Sequence, residues 1–173
     1  MFIMIGAMSK NNCVGKSNSL PWRIPSDLQF FKRNTERKTV IMGWNTYISL
    51  HQRPLPNREN IVLIKDDFQE DDLKGYKTDG FLFLTYDEIL DYELSMPEME
   101  FFVIGGPKTW DLFRGKYDKA IISKVQVDIE GGDAFVNDRC FEGLVFRNSV
   151  KPPMELDISS DDYRYMIWYY QKK

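Results

Sequence analysis

Histidine is almost missing from this sequence: His51 is the only one in 173 residues. A zinc site built on imidazoles, or a Ser-His-Asp triad, would have to draw on that single ring, so both chemistries are disfavoured and no metal is expected. Cysteine is scarce too. Cys13 and Cys140 are the only pair and form no CxxC spacing, so free thiols in a reducing cytoplasm are a simpler expectation than a disulfide. No apolar run approaches the ~20 residues that span a bilayer, and no cationic leader with a cleavage site is seen, which points away from membranes. Neither the P-loop spacing nor GxGxxG occurs, which removes the usual phosphate and dinucleotide fingerprints.

What is present is unevenly placed. The net charge of −3 conceals a basic stretch and an acidic one. Residues 23–65 hold eight cations (Arg23, Lys32, Arg33, Arg37, Lys38, Arg53, Arg58, Lys65) against three acids, and residues 66–100 hold twelve acids against Lys74 and Lys77. The acidic block reads as a solvated face with loops. The basic block suggests small anionic ligands. Nucleic acid is a poor candidate, since no broad basic surface with interleaved aromatics accompanies it.

Apolar content of 43% with 28% charge is ordinary for a globular protein, and the length suits a single domain over residues 1–173. "FIMIGAM" (2–8) carries no charge and reads as a strand buried on both faces. Similar runs recur at 39–42, 60–64, 81–85 and 101–104, with helical patterns at 26–34, 44–50, 86–92 and 107–114. That alternation predicts an α/β fold: a central, mainly parallel sheet of about eight strands flanked by about four helices. The runs at 119–125, 143–150 and 163–171 have no helix between them and predict an antiparallel close to the sheet. Ligands of such sheets bind beyond the carboxyl ends of the strands. The residues to inspect there are Ala7 onward, the turns "MGWNT" and "IGGPKT", and Lys65. A glycine turn into a helix N-terminus suits a phosphate, although glycine is common there for steric reasons alone.

In "PWRIPSDLQFFKRNT" (21–35), Ser26 after Pro25 looks like an N-cap, and the helix should bury Leu28, Phe30 and Phe31. Asp27 sits at the spacing that places it beside the two phenylalanines. An acid in a first turn suits the helix dipole. The alternative is a functional carboxylate in an apolar pocket.

"NSLPWRIPSDLQFFKRNT", "KTVIMGWNTYISL", "RPLPNRENIVL" and "FVIGGPKTW", in this order and spacing, resemble the signature blocks of dihydrofolate reductase. The likeness runs from Phe2 to about Phe135, with looser agreement beyond. It implies NADPH-dependent reduction of 7,8-dihydrofolate to tetrahydrofolate, with hydride moving to pterin C6 and a proton to N5. Such an enzyme supplies one-carbon carriers for thymidylate and purine synthesis, is a target of antifolates, and is expected to be a cytoplasmic monomer.

The resemblance implies that Asp27 accepts hydrogen bonds from the pterin 2-amino group and ring N–H, at the floor of a slot formed by Ile5, Ala7, Leu28, Phe31 and Ile104. Trp22 and Ser123 would hold an ordered water there. Desolvation should raise the Asp27 pKa. Arg58 would bind the α-carboxylate of the glutamate tail with two parallel bonds, Lys32 and Arg53 would stand at the mouth, and Leu50 and Leu55 would contact the aminobenzoyl ring. For the cofactor the resemblance points to Ala7 and to a flexible segment, Asn12 to Leu20, with Val14, Gly15, Asn18 and Ser19 as hinge and contact residues. Gly43, Asn45, Thr46, Ile64, Lys65 and the run Gly105, Gly106, Pro107, Lys108, Thr109 would hold the adenosine phosphates, with a cis peptide joining Gly105 to Gly106.

Three departures stand out. Where the family has a basic residue after the glycine of the second block, this chain has Trp44, leaving Lys65 and Lys108 as cations for the 2′-phosphate and Trp44 as a possible adenine platform. Residues 65–80 are long and acidic. In "EGGDAFV" the glycine pair blurs the register near Asp133. Two other readings compete: a same-fold reductase of a pyrimidine or pterin precursor, as in riboflavin synthesis, and a non-catalytic folate or nucleotide-binding protein. The pairing of Asp27 with Arg58 argues against the first, and the flexible segment with both glycine turns against the second.

Overall fold

The structure, a computed structural model, describes all 173 residues. In chain order the elements are β1 (Phe2–Ser9), β2 (Cys13–Gly15), α1 (Pro25–Thr35), β3 (Thr39–Gly43), α2 (Trp44–Ser49), β4 (Glu59–Leu63), β5 (Phe81–Leu84) and α3 (Tyr86–Ser95). There follow β6 (Phe101–Gly105), α4 (Pro107–Leu112), β7 (Tyr117–Val125), β8 (Ala134–Phe135), β9 (Leu144–Val150) and β10 (Tyr165–Lys172). Every apolar run expected to be a strand is one, and the four expected helices form.

Eight strands make one sheet in the order β5-β4-β3-β6-β1-β7-β10-β9. It is parallel from β5 to β7, and β10 runs antiparallel to both of its neighbours. Alternation along β1 explains why its sequence carries no charge. Phe2, Met4 and Met8 join the core on the face covered by Ile89 of α3 and Trp110 of α4. Ile3 and Ile5 join the opposite face, with Tyr47 of α2 and Phe31 of α1. Both faces are buried, as parallel sheets require. No helix is long and apolar enough to cross a membrane.

The topology places the site. The crossover from β1 through α1 goes to β3 on one side, and that from β6 through α4 goes to β7 on the other. The adjacent strands β1 and β6 pair only from Phe2 to Met4 against Phe101 to Val103. Beyond those rungs no ladder joins them, and it is here that the crossovers diverge, the place where open α/β sheets bind ligands.

Two small elements carry no signal in the sequence. β2 and β8 pair as a separate two-stranded strip, three residues against two, too short to show a period. Ten of the twelve acids in residues 66–100 are exposed; Glu93 and Glu100 are half-buried in ion pairs with the N-terminal amine and with Lys38.

Candidate active site

Asp27 lies in the first turn of α1 and is buried, with 7% of its surface exposed. Desolvation is the main reason its carboxyl pKa is pushed up from 3.8 to about 6; a hydrogen bond with Ser123 opposes this, and the charge of Asp161 adds to it. Ser123 is buried on β7, level with Ala7 on β1. Trp22 is buried beside this group, and its indole Nε1 has no hydrogen-bond partner in the protein. A buried donor left without a partner is what a bound water or ligand atom satisfies.

The start of α1 corrects one expectation. Ser26 is not the N-cap: Pro25 takes the first helical position, Ile24 precedes it, and Ser26 falls inside the first turn. Its N–H is instead satisfied by Asp161, 3.0 Å away. A second expectation fails at Leu28, which is 55% exposed. Successive helical residues are about 100° apart, so Leu28 swings off the face that Asp27 shares with Phe30 and Phe31. Phe30 is buried and Phe31 half-buried.

The other apolar residues expected at the slot fall into two adjoining clusters. Phe31, Leu50, Leu55 and Ile104 pack against the core face that includes Ile5. Ala7, Trp22 and Phe30 lie in the adjoining cluster, with Ile121 touching both. The Arg58 guanidinium stands over the Phe31 ring, its Nε buried without a partner. Burial lowers the Arg58 pKa and the charge of Glu36 acts against this. Lys32 and Arg53 are exposed, and neither is ion-paired.

The loop carrying Arg58 is organised by a residue that sequence reading assigned only to a strand. Asn60 is buried; its amide donates to the carbonyls of Leu55 and Arg58, and its Oδ1 accepts the Leu55 N–H. Three bonds from one side chain thus fix both Leu55 and Arg58. A polar residue immediately after "PNRE" and before an apolar run was the available signal.

The two glycine turns meet at the ends of β3 and β6. A Cβ on Gly43 would collide with the Thr109 hydroxyl, and one on Gly106 would lie 3.9 Å from the Thr46 hydroxyl. The Gly105–Gly106 peptide is cis, and Gly105 has φ +114, a conformation open to glycine. Both helices start on a glycine with no side-chain cap, so their first-turn N–H groups stay free. This backbone cradle fits a pyrophosphate. Pro107 opens α4, while Asn45 and Lys108 are exposed.

The segment after β1 forms a small structured arm. Lys16 and Ser19 exchange backbone bonds of 2.9 and 3.1 Å around Ser17 and Asn18, both left-handed at φ 50 and 58, a two-residue hairpin turn. Gly15 pairs with Ala134, and Val14 packs on the core that contains Met8 and Val136. Asp133, whose register the sequence left blurred, fastens the arm: its N–H donates to the Gly15 carbonyl at 3.1 Å and its carboxylate accepts the Ser17 N–H at 2.7 Å.

Trp44 is enclosed by aromatic rings. It is tilted against Tyr47 and Phe68 at 5.1 and 5.6 Å and edge-on to Tyr76 at 5.0 Å. The Tyr47 hydroxyl also donates to the Lys77 carbonyl at 2.7 Å. Segment 65–80, acidic in sequence, is therefore docked by its two aromatics. Ile64 is half-buried and bonded to the Leu84 carbonyl, and Lys65 follows it, exposed.

The dihydrofolate reductase family profile matches residues 1–172. The chain is 33% identical over 137 residues to a dihydrofolate reductase of Haemophilus influenzae, covering 78% of each protein. It is 39% identical over 136 residues to that of Bacillus subtilis, covering 78% of this chain and 75% of the relative. Its fold matches a dihydrofolate reductase from Enterococcus faecalis, complexed with NADP(H) and RAB-propyl, with TM-score 0.84 and 26% identity over 100% of this chain and 96% of that one.

Proposed function

Since this chain belongs to the dihydrofolate reductase family, we propose that it reduces 7,8-dihydrofolate to 5,6,7,8-tetrahydrofolate with NADPH. The observation that carries the reading is Asp27: a buried carboxyl with a pKa of about 6, on a helix whose apolar residues join the clusters of Ile5 and Ala7. When bound, NADPH supplies the hydride that the pterin takes at C6.

The chain's own groups do the rest. The Asp27 carboxylate accepts both the 2-amino and the ring N–H of the pterin, which lie on one edge of the ring. With its pKa near 6, Asp27 retains a proton part of the time at neutral pH. A water held by the free Trp22 N–H and the Ser123 hydroxyl would join it. N5 lies on the far side of the pterin from this edge, so Asp27 aids protonation through water and polarisation. Ile5, Ala7, Phe31 and Ile104 exclude bulk water, and Leu28 adds its apolar surface from the exposed side of α1. Leu50 and Leu55 meet the aminobenzoyl ring. Arg58 takes the glutamate α-carboxylate, with Lys32 and Arg53 beyond it.

The paired turns at Gly43–Thr46 and Gly105–Thr109 would cradle the cofactor pyrophosphate, and the arm at Val14–Ser19 would cover the nicotinamide side of the cleft. Lys65 and Lys108 are the cations for the 2′-phosphate; Trp44, held among Tyr47, Phe68 and Tyr76, offers an aromatic surface there. The single continuous sheet supports one domain, and the two buried free thiols support a reducing cytoplasm. We take the working form to be a monomer acting on small molecules. Arg58 weighs against a precursor lacking a glutamate tail.

The test is loss of reduced-nicotinamide absorbance when protein, NADPH and dihydrofolate are mixed, with NADH in parallel. Consumption that depends on dihydrofolate is expected. Tight NADPH binding without turnover would favour a non-catalytic carrier.

A further inference from the structure

The first turn of α1 is held by a residue 135 positions away. The Ser26 N–H donates to Asp161 Oδ1 at 3.0 Å, and the Ser26 hydroxyl donates to Asp161 Oδ2 at 2.5 Å. A hydroxyl has one proton, so with it directed at Asp161 the 2.9 Å contact with Tyr165 runs the other way: Tyr165 donates to Ser26 Oγ. The result is a directed chain, Tyr165 to Ser26 to the Asp161 carboxylate. Ser26 is wholly buried and Tyr165 nearly so.

A helix cap needs only an acceptor, which a neutral side chain also supplies. Here a charged one stands next to the buried carboxyl of Asp27. The groups facing Asp27 are Ser123 on β7, Tyr165 on β10 and Asp161 between β9 and β10. None of them is a cation. Of the other charged groups nearby, Arg23 donates to the Ser160 carbonyl, Asp162 accepts the Arg23 N–H, Lys124 of β7 donates to Asn12 Oδ1, and Lys151, Glu155, Asp157 and Arg164 are exposed.

We propose that Asp161 is a positioning residue for the reduction, fixing Asp27 through Ser26 and tying the substrate slot to the segment between β9 and β10. Its negative charge, close to a buried carboxyl with no compensating cation, also favours the protonated form of that carboxyl. This agrees with the direction in which Asp27 and Tyr165 are both displaced, Tyr165 up to about 12, although burial is the larger cause for each. Sequence alone gave no reason to prefer Asp161 over its neighbours in "SSDD".

The inference rests on the dihydrofolate reading, and its test separates the two. Turnover of dihydrofolate against pH, and a carboxyl-carbon NMR titration of Asp27 in the ligand-free protein, would be measured for wild type, Asp161→Asn, Asp161→Glu and Asp162→Asn. Asp161→Asn should move the Asp27 midpoint down by roughly half a unit to one unit. Neutral-pH turnover should then drop roughly three- to ten-fold, the fall in protonated fraction that such a shift produces, with little change in KM. Asp161→Glu should recover most of the loss, and Asp162→Asn should titrate like wild type. A loss in Asp161→Asn that is equal at every pH, with the Asp27 midpoint unmoved, would show a cap and nothing more. Should Asp161→Asn not fold, Ser26→Ala removes the hydroxyl bonds to Asp161 and Tyr165 and leaves the backbone N–H bond and both acids in place: several-fold lower turnover supports the proposal, and wild-type turnover overturns it. Absence of wild-type turnover defeats the dihydrofolate reading, whereas the NMR titration judges Asp161 without any turnover.

Discussion

The Arg58 guanidinium carbon lies 5.9 Å from the centroid of the Phe31 ring and over its face. Phe31 is one helical turn from Asp27, so the same ring flanks both charged groups, the carboxyl proposed to take the pterin and the guanidinium proposed to take the tail. The distance between those groups is therefore set by one helix and by the Asn60-fastened loop.

Arg58→Leu removes the charge that stands over Phe31. It should raise the KM for dihydrofolate by roughly 30- to 1,000-fold, equivalent to about 2–4 kcal/mol for a charge-assisted bidentate contact. Turnover of a dihydropterin lacking the glutamate tail should change little. Equal losses on both substrates would assign Arg58 a structural role instead.

Asp27→Asn should cut neutral-pH turnover by orders of magnitude, with partial recovery at low pH where substrate arrives already protonated. It should also stabilise the fold. A carboxyl whose pKa rises from 3.8 to about 6 on folding binds its proton more tightly in the native state. Stability therefore falls as pH rises through that interval, and above it the cost is roughly 3 kcal/mol at most. Thermal unfolding of wild type should show this decline between those two values, and Asp27→Asn should lack it. An unchanged pH dependence in the variant would place the titration elsewhere.

Lys65→Ala tests the 2′-phosphate. Trp44 and Asn45 carry no charge, so few cations favour NADPH over NADH, and the preference should be modest. The variant should bind NADPH more weakly, by at most ~1 kcal/mol for an exposed pair, with NADH almost unaffected. Titrations at rising salt should show the difference shrinking. Equal weakening of both cofactors would move the phosphate site away from Lys65.

Asp133→Ala removes the acceptor of the Ser17 N–H at the tip of the arm. Limited proteolysis between Lys16 and Leu20 should become faster, and NADPH affinity should fall by about 1 kcal/mol, the worth of one hydrogen bond. The global unfolding midpoint should stay near wild type, since the arm tip is exposed. Unchanged proteolysis would mean that the β2–β8 pairing alone holds the arm.

Much of this protein is legible from local pattern. β1 reads as a strand because burial on both faces removed every charge from eight contiguous residues, and Asp27 stands out because a helix period sets it beside Phe30 and Phe31. The signature blocks around Trp22, Arg58 and the glycine turns are equally local, since each must shape a few consecutive residues around one ligand group. Leu28 shows the limit: whether an apolar helical residue is covered depends on what packs opposite it. Tertiary structure alone decided that Asn60 fastens Arg58, that Asp133 holds the arm at Ser17, and that Asp161 replaces Ser26 as the cap of α1. Each of the latter two bonds joins residues more than a hundred positions apart. An exposed-looking acid carries no mark of its partner until chain closure brings a free N–H within 3 Å.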